Sequence, residues 1–200
     1  MNRYKKIIIF IIFLLIFIIN TILVINNNVD NFDNYIYELI YWDSSLFTKL
    51  FKGITFFGST IFIIIVFIVN LIINKNKRKA IFQDLAILLA HISCEAIKLL
   101  VARPRPEGIN LVSEKSFSYP SGHTMISTII YGLFMYDVIN SKMKKKNKVL
   151  ICSMLSTLLL FIAISRIYLG AHFASDIIGG FSLGIIFLIG YTTLFKNKLR

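Results

Sequence analysis

Residues 7–25 read IIIFIIFLLIFIINTILVI, 19 positions without a single charge. A helix needs about 20 mostly apolar residues to cross the hydrocarbon core of a bilayer, and this run meets that requirement by itself. A basic start, MNRYKK, precedes it, so a secretory signal is the competing interpretation. The run is long for a signal's apolar stretch, and NNN follows it where a small-residue cleavage site would stand. The segment therefore reads as a retained transmembrane helix.

The rest of the chain continues in the same manner. Its 200 residues are 56% hydrophobic and 16% charged, whereas an ordinary soluble domain carries about 25% charge. Five further apolar segments approach spanning length: 54–74, 80–101, 121–140, 149–168 and 172–195. The expected architecture is one all-α domain over residues 1–200, a bundle of six transmembrane helices. Between the first two lies VDNFDNYIYELIYWDSSLFTKLFKG, residues 29–53. Its Ile36, Leu39, Ile40, Leu46 and Leu50 recur at roughly helical spacing beside Trp42 and several Tyr and Phe. That pattern predicts an amphipathic segment lying in the outer interface, where aromatic rings settle.

The formal net charge is +12. A basic chain can bind nucleic acid, but here the cations stand in short clusters between apolar runs, as in cytoplasmic loops. With the N-terminus in the cytoplasm, the inner stretches hold 15 of the 22 Lys and Arg residues, including Lys196, Lys198 and Arg200. Both termini are then cytoplasmic, and nucleic acid is not an expected partner. No protein partner is indicated either. Cys94 and Cys152 fall inside apolar runs and read as buried free thiols.

Five basic residues break the charge rule: Lys98, Arg103, Arg105, Lys115 and Arg166. Charges in or beside membrane segments are costly and usually functional. In the six-helix topology Lys98, Arg103, Arg105, Ser121, His123, Arg166, His172 and Asp176 all lie near the outer membrane face. Several cations and a helix start at one depth make an anion site. In SYPSGHTM, residues 118–125, Pro120 at or beside the first helical position pre-sets the turn. Ser121 and Gly122 then offer backbone N–H groups at a positive helix end. Arg105 and Arg166 can grip phosphate bidentately, and Lys98 acts as a point charge.

The histidines supply chemistry. His172 and Asp176 are four residues apart, on one helical face. The carboxylate can fix the ring tautomer and leave the other nitrogen free as a nucleophile. His123, on another segment, can protonate a leaving oxygen. His123, His172 and Asp176 could in principle ligate zinc, but the neighbouring cations would repel it, so no metal and no cofactor is expected. His91, Glu95 and Lys98 share a helical face; Glu95 is positioned to pair with Lys98, and His91 reads as a polar core residue. Asp84 and Asp137 stand near the cytoplasmic helix ends and read as structural. Gly179, Gly180 and Gly184 read as a close-packing face on the last helix.

Three stretches now stand together: KLLVARPRP (98–106), PSGH (120–123) and SRIYLGAHFASD (165–176). In order, spacing and content they resemble the three signature motifs of the type 2 phosphatidic acid phosphatase superfamily, with no motif position departing from the pattern. The motif-bearing core runs from about residue 80 to 195. The resemblance implies a multi-pass enzyme of the cell membrane that removes phosphate from a lipid phosphate without a metal ion, its active site facing the extracytoplasmic side. It also implies roles. His172 forms a phosphohistidine and Asp176 orients it. His123 protonates the leaving group and activates water in the second step. Lys98, Arg105, Ser121, Gly122, Arg166 and Ser165 bind the phosphate. Arg103, outside the motif, is left for a second phosphate or a glycerophosphate headgroup.

The expected substrates are phosphatidylglycerophosphate, phosphatidate or an isoprenyl diphosphate such as undecaprenyl diphosphate. The alternative is a non-catalytic lipid-phosphate binder or flippase, which would need the cationic cradle but not both His172 and Asp176. A soluble haloperoxidase, whose vanadate site resembles this one, does not suit a chain with six apolar segments.

Overall fold

The computed structural model describes residues 2–108 and 111–194. Phe195, Lys196, Lys198 and Arg200, assigned above to the last span and the cytoplasmic tail, lie outside the described residues. Among those described, every regular element is helical. In chain order they are α1 (Arg3–Ile25), α2 (Asp30–Ile40), α3 (Ser45–Thr55), a 3-10 turn (Phe56–Gly58), α4 (Thr60–Ile73), α5 (Lys77–Val101), α6 (Gly122–Asn140), α7 (Lys145–Tyr168) and α8 (Ala174–Leu194).

Three of these, α1, α7 and α8, are long and apolar enough to cross a membrane. The α3 and α4 pair makes a fourth if it is one broken span. The apolar segment expected at 54–74 is thus interrupted near its start, and the stretches Ser45–Gly58 and Thr60–Ile73 meet at 44°. The reason is local. Ser59 is extended (φ −78°, ψ 161°), and its hydroxyl accepts the Phe62 N–H at 3.3 Å, which starts α4 afresh. Gly58 is buried against α6 and α7; a Cβ there would lie 2.8 Å from Ser127 Oγ and 3.1 Å from Ile162 Cγ2. The amphipathic segment likewise divides into α2 and α3, because Tyr41 is extended and Ser44 caps a new helix.

The bundle wears its apolar residues outside. Ile8, Ile12 and Ile19 of α1, Ile61 and Ile72 of α4, and Val149 and Leu160 of α7 are all exposed. Inside, hydroxyls and amides share the core with apolar residues such as Ile129 and Ile162: Ser121, Thr124, Ser127, Thr128, Ser175 and Ser182 are buried, and Asn20 of α1 donates to the Ser175 carbonyl at 2.9 Å. That is the arrangement expected when lipid is the solvent, since apolar tails exert no force driving apolar side chains inward.

Helix α6 occupies the middle and packs on α5, α7 and α8, while α1 runs along α8. The glycine face of α8 makes that packing close. A Cβ at Gly180 would sit 2.4 Å from the Ser121 carbonyl oxygen, and one at Gly184 would sit 2.8 Å from the Met125 carbonyl oxygen. Backbone cannot step aside as a side chain can. Gly180→Ala is therefore expected to destabilise the protein by about 1–3 kcal/mol. Gly190→Ala, with nothing within 4 Å of the added methyl, is expected to leave it unchanged. Thermal unfolding of the two variants in the same detergent checks the contrast; equal midpoints would refute it.

Candidate functional site

At one end of the bundle, the last turns of α5 and α7 meet the first turns of α6 and α8. Residues 102–108 and 111–121 lie at this end, and the Leu111 N–H donates to the Leu169 carbonyl at 3.1 Å. Lys98, Arg166, His172 and Asp176 are all buried here. The Ser121 N–H donates to the Asp176 carbonyl at 3.0 Å, which joins the start of α6, and with it His123, to the start of α8.

His172 sits in the short turn between α7 and α8, its N–H bonded to the Arg166 carbonyl at 3.1 Å. Its Nδ1 lies 3.4 Å from Asp176 Oδ2. Its Nε2 faces Arg105 Nη1 at 3.4 Å. A carboxylate on one side accepts a hydrogen bond and a guanidinium on the other donates one. Those partners assign the proton to Nδ1 and leave the Nε2 lone pair pointing towards the cationic groups.

Arg105 is held from several sides. Its Nε donates to the Ser116 carbonyl at 2.7 Å and its Nη1 to the Ala171 carbonyl at 2.6 Å. Lys98 pairs with Glu95 at 2.9 Å, as the three-residue spacing predicts, and donates to Ser116 Oγ at 3.1 Å. The Glu95 side chain is 42% exposed, so it lies at the edge of the bundle and not within it. Arg166 is 1% exposed. Its Nη1 donates to Thr55 Oγ1 at 2.9 Å, its Nη2 pairs with Glu114, and its buried Nε has no partner among the described residues. Burial alone would raise the Glu114 carboxyl, but Arg166, followed by Arg105 and His172, holds it below the ordinary carboxylate range. An ionised carboxylate thus occupies a pocket built of cations, the position a phosphate oxygen would seek.

His123 lies in the first turn of α6, half-buried against Gly58, and shares the electrostatic field of Arg166, His172, Lys98 and Arg105. Its ring makes no hydrogen bond with another described residue. The helix-start amides divide. That of Ser121 is spent on Asp176, while that of Gly122 has no acceptor among the described residues; a Cβ added at Gly122 would lie 3.6 Å from Lys98 Nζ. Ser121 Oγ caps α6 and accepts from Thr124 Oγ1 at 3.1 Å. Pro120 falls before that cap and outside the helix, its peptide bond to Tyr119 cis. Ser165, expected to face phosphate, turns its hydroxyl back to the Ile162 carbonyl at 2.6 Å. His91 is half-buried on α5, its Nδ1 without a partner among the described residues.

Arg103 is paired with Asp33 at 2.8 Å and with Asp176 at 2.7 Å. Asp33, Glu114, Ser116 and Ser118 were not singled out from the sequence. Ser118 Oγ donates a hydrogen bond to Asp176 Oδ2 and lies 3.5 Å from His172 Nδ1. The one available signal for Asp33 and Glu114 was the presence of acids on stretches predicted to face the outer side, where cations had gathered.

A cavity of about 260 Å³ opens beside these groups, lined by Lys98, Arg103, Arg105, Lys115, Ser116 and Phe117 among others. A larger, mostly apolar one of about 660 Å³ lies towards the other end, between α4, α5 and α6. At that end Asp137 pairs with Lys79 at 2.5 Å and Asn70 donates to Asp84 at 2.8 Å, consistent with structural roles.

Apolar helices closing around a cluster of cations, with an aspartate-backed histidine beside Arg105, are the build of an integral-membrane phosphatase. The PAP2 superfamily model matches residues 79–200, and the chain belongs to that family. It is accordingly a phosphatase, a hydrolase held in a membrane by its apolar helices. Phosphatidylglycerophosphatase B of Bacillus subtilis (strain 168) is 28% identical over 142 residues, covering 69% of this chain and 70% of that protein. The crystal structure of a transmembrane PAP2-type phosphatidylglycerolphosphate phosphatase from Bacillus subtilis superimposes with a TM-score of 0.83 at 27% identity, covering 98% of each chain. That of Aquifex aeolicus LpxE gives 0.66 at 26% identity, over 81% of this chain and 95% of the other.

Proposed function

We propose that this chain hydrolyses a phosphomonoester or diphosphate of a membrane lipid at the outer membrane face, through a phosphohistidine on His172 and without a metal ion. The observation that carries the reading is the pair of contacts on His172: Nδ1 towards Asp176 and Nε2 towards Arg105, each at 3.4 Å. In the first step Nε2 attacks phosphorus and the bond to the lipid oxygen breaks. His123 delivers its proton to that oxygen, releasing an alcohol or, from a diphosphate, a lipid monophosphate. In the second step His123 takes a proton from water, the hydroxide attacks phosphorus, and the N–P bond breaks to release inorganic phosphate. Lys98, Arg105, Arg166 and the Gly122 amide hold the phosphoryl oxygens, where positioning and charge stabilisation do most of the work.

The topology that suits this chemistry is one domain of six spans, namely α1, α4 with the turn before it, α5, α6, α7 and α8, with both termini cytoplasmic. The Lys and Arg clusters at the start of α1, at the α4–α5 junction and at the α6–α7 junction all favour the inner side. The active end then faces outward, with α2 and α3 in the interface above it. The similarity to phosphatidylglycerophosphatase B makes phosphatidylglycerophosphate the first substrate to try, ahead of phosphatidate and undecaprenyl diphosphate.

The test is phosphate release by detergent-purified protein, with EDTA present, across a panel of lipid mono- and diphosphates. Undiminished turnover in EDTA with a preferred lipid is the expected result. Loss of activity on chelation, restored by one added divalent cation, would overturn the metal-free mechanism. Binding of every lipid without release of phosphate from any would favour the binder or flippase.

A further inference from the structure

Asp176 takes four donors, about as many as a carboxylate has lone-pair sites. Three of them crowd one oxygen: Ser118 Oγ, the Phe173 N–H at 2.9 Å and His172 Nδ1 at 3.4 Å all meet Oδ2. The other oxygen, Oδ1, is held by Arg103 Nη1 at 2.7 Å and by no other described residue. Arg103 therefore fixes the plane of the carboxylate, which in turn fixes the His172 ring.

Arg103 has its own anchor. Its Nη2 donates to Asp33 Oδ2 at 2.8 Å, its Nη1 also reaches Ser175 Oγ at 2.8 Å, and its guanidinium lies over the Phe173 ring, 4.0 Å from the centroid. Asp33 projects from α2 and is 1% exposed. Its Oδ1 accepts the Ser175 N–H at 2.8 Å and its Oδ2 accepts the Ser175 hydroxyl at 2.6 Å. A carboxylate from a helix about 140 residues away in sequence thus serves the positive first turn of α8. A charged group with this many directed bonds, buried this deeply, is expensive to keep. Neither Asp33 nor Arg103 stands at a position of the three motifs.

We propose that Asp33 and Arg103 are positioning residues for phosphoryl transfer, forming a clamp from α2 through Arg103 to Asp176 that holds the His172 ring in attacking orientation. The inference rests on the reading of His172 as the nucleophile. Removing the clamp leaves Lys98, Arg105 and Arg166 in place to bind phosphate but lets the ring wander, and misplacement of a reacting group by about 1 Å costs about 10²-fold in rate. A purely structural role makes the opposite prediction: fewer folded molecules, each turning over at the normal rate.

The experiment compares wild type, Asp33→Asn, Asp33→Glu, Arg103→Lys and His172→Ala in detergent. It measures turnover per folded molecule, KM, and the inhibition by inorganic phosphate. In Asp33→Asn and Arg103→Lys, turnover per folded molecule is expected to fall by about 10-fold to 10²-fold. KM and the affinity for phosphate stay within about twofold of wild type, and Asp33→Glu recovers part of the loss. Should Asp33→Asn fail to fold, Arg103→Lys, which keeps the charge but loses the two-armed bridge, decides alone. Unchanged turnover per folded molecule, or turnover and phosphate affinity lost together, would overturn the proposal. Turnover persisting in His172→Ala would instead sink the nucleophile reading itself, and the clamp with it.

Discussion

Replacing His172 with alanine is expected to end phosphate release, slowing turnover by about 10⁴-fold or more, as loss of a covalent nucleophile does. The cause is chemical, not structural. The ring occupies a turn whose backbone bonds to Arg166 stay intact without it, and the cations around Nε2 are fixed by Ser116, Ala171 and Glu95 and not by the histidine. The variant should therefore still fold and still be stabilised by inorganic phosphate in a thermal-shift measurement. Wild-type protein quenched in acid-free denaturant during turnover should carry one phosphate per chain on a histidine, and the variant none. Phosphate release at a tenth of the wild-type rate would show that the attacking group lies elsewhere.

The second large effect falls on His123. Losing a general acid costs about 10²–10⁴-fold, but the cost depends on the leaving group. A lipid alkoxide cannot depart unprotonated, whereas a nitrophenolate can. His123→Ala is expected to lose most of its turnover on a lipid phosphate yet to form the phosphoenzyme from p-nitrophenyl phosphate at close to the normal rate, giving a burst followed by slow hydrolysis. The half-buried ring in the first turn of α6 borders the pocket's cations without a hydrogen-bond partner among the described residues, which leaves it free to serve both the departing oxygen and the incoming water. Equal losses on both substrates, without a burst, would make His123 a binding residue and not an acid.

Much of this could be read along the chain. An apolar run of spanning length declares itself locally, because the bilayer imposes one dimension on any helix that crosses it. The glycine face of α8 was also legible, as the contacts of Gly180 and Gly184 with backbone show. The groups that make up the pocket were recoverable because Lys98, Arg105, Arg166, His172 and Asp176 break the rules that their apolar surroundings obey. The break at Ser59 was not read, since an apolar count over 54–74 does not register one residue turning extended. Nor was the loss of the Ser121 amide to Asp176, because a free helix-start N–H is free only until another helix arrives.

By itself, then, the order of residues determined that this is a helical membrane phosphatase of the PAP2 superfamily and which charged and polar side chains interrupt its apolar segments. Those are properties of composition and short spacing. Tertiary structure alone decided which oxygen of Asp176 each donor takes, that Glu114 sits on Arg166, and that Arg103 bridges Asp33 and Asp176. A directed bond exists only where two groups meet within about 3 Å at the right angle, and for residues 70 positions apart nothing in their local sequence encodes that meeting.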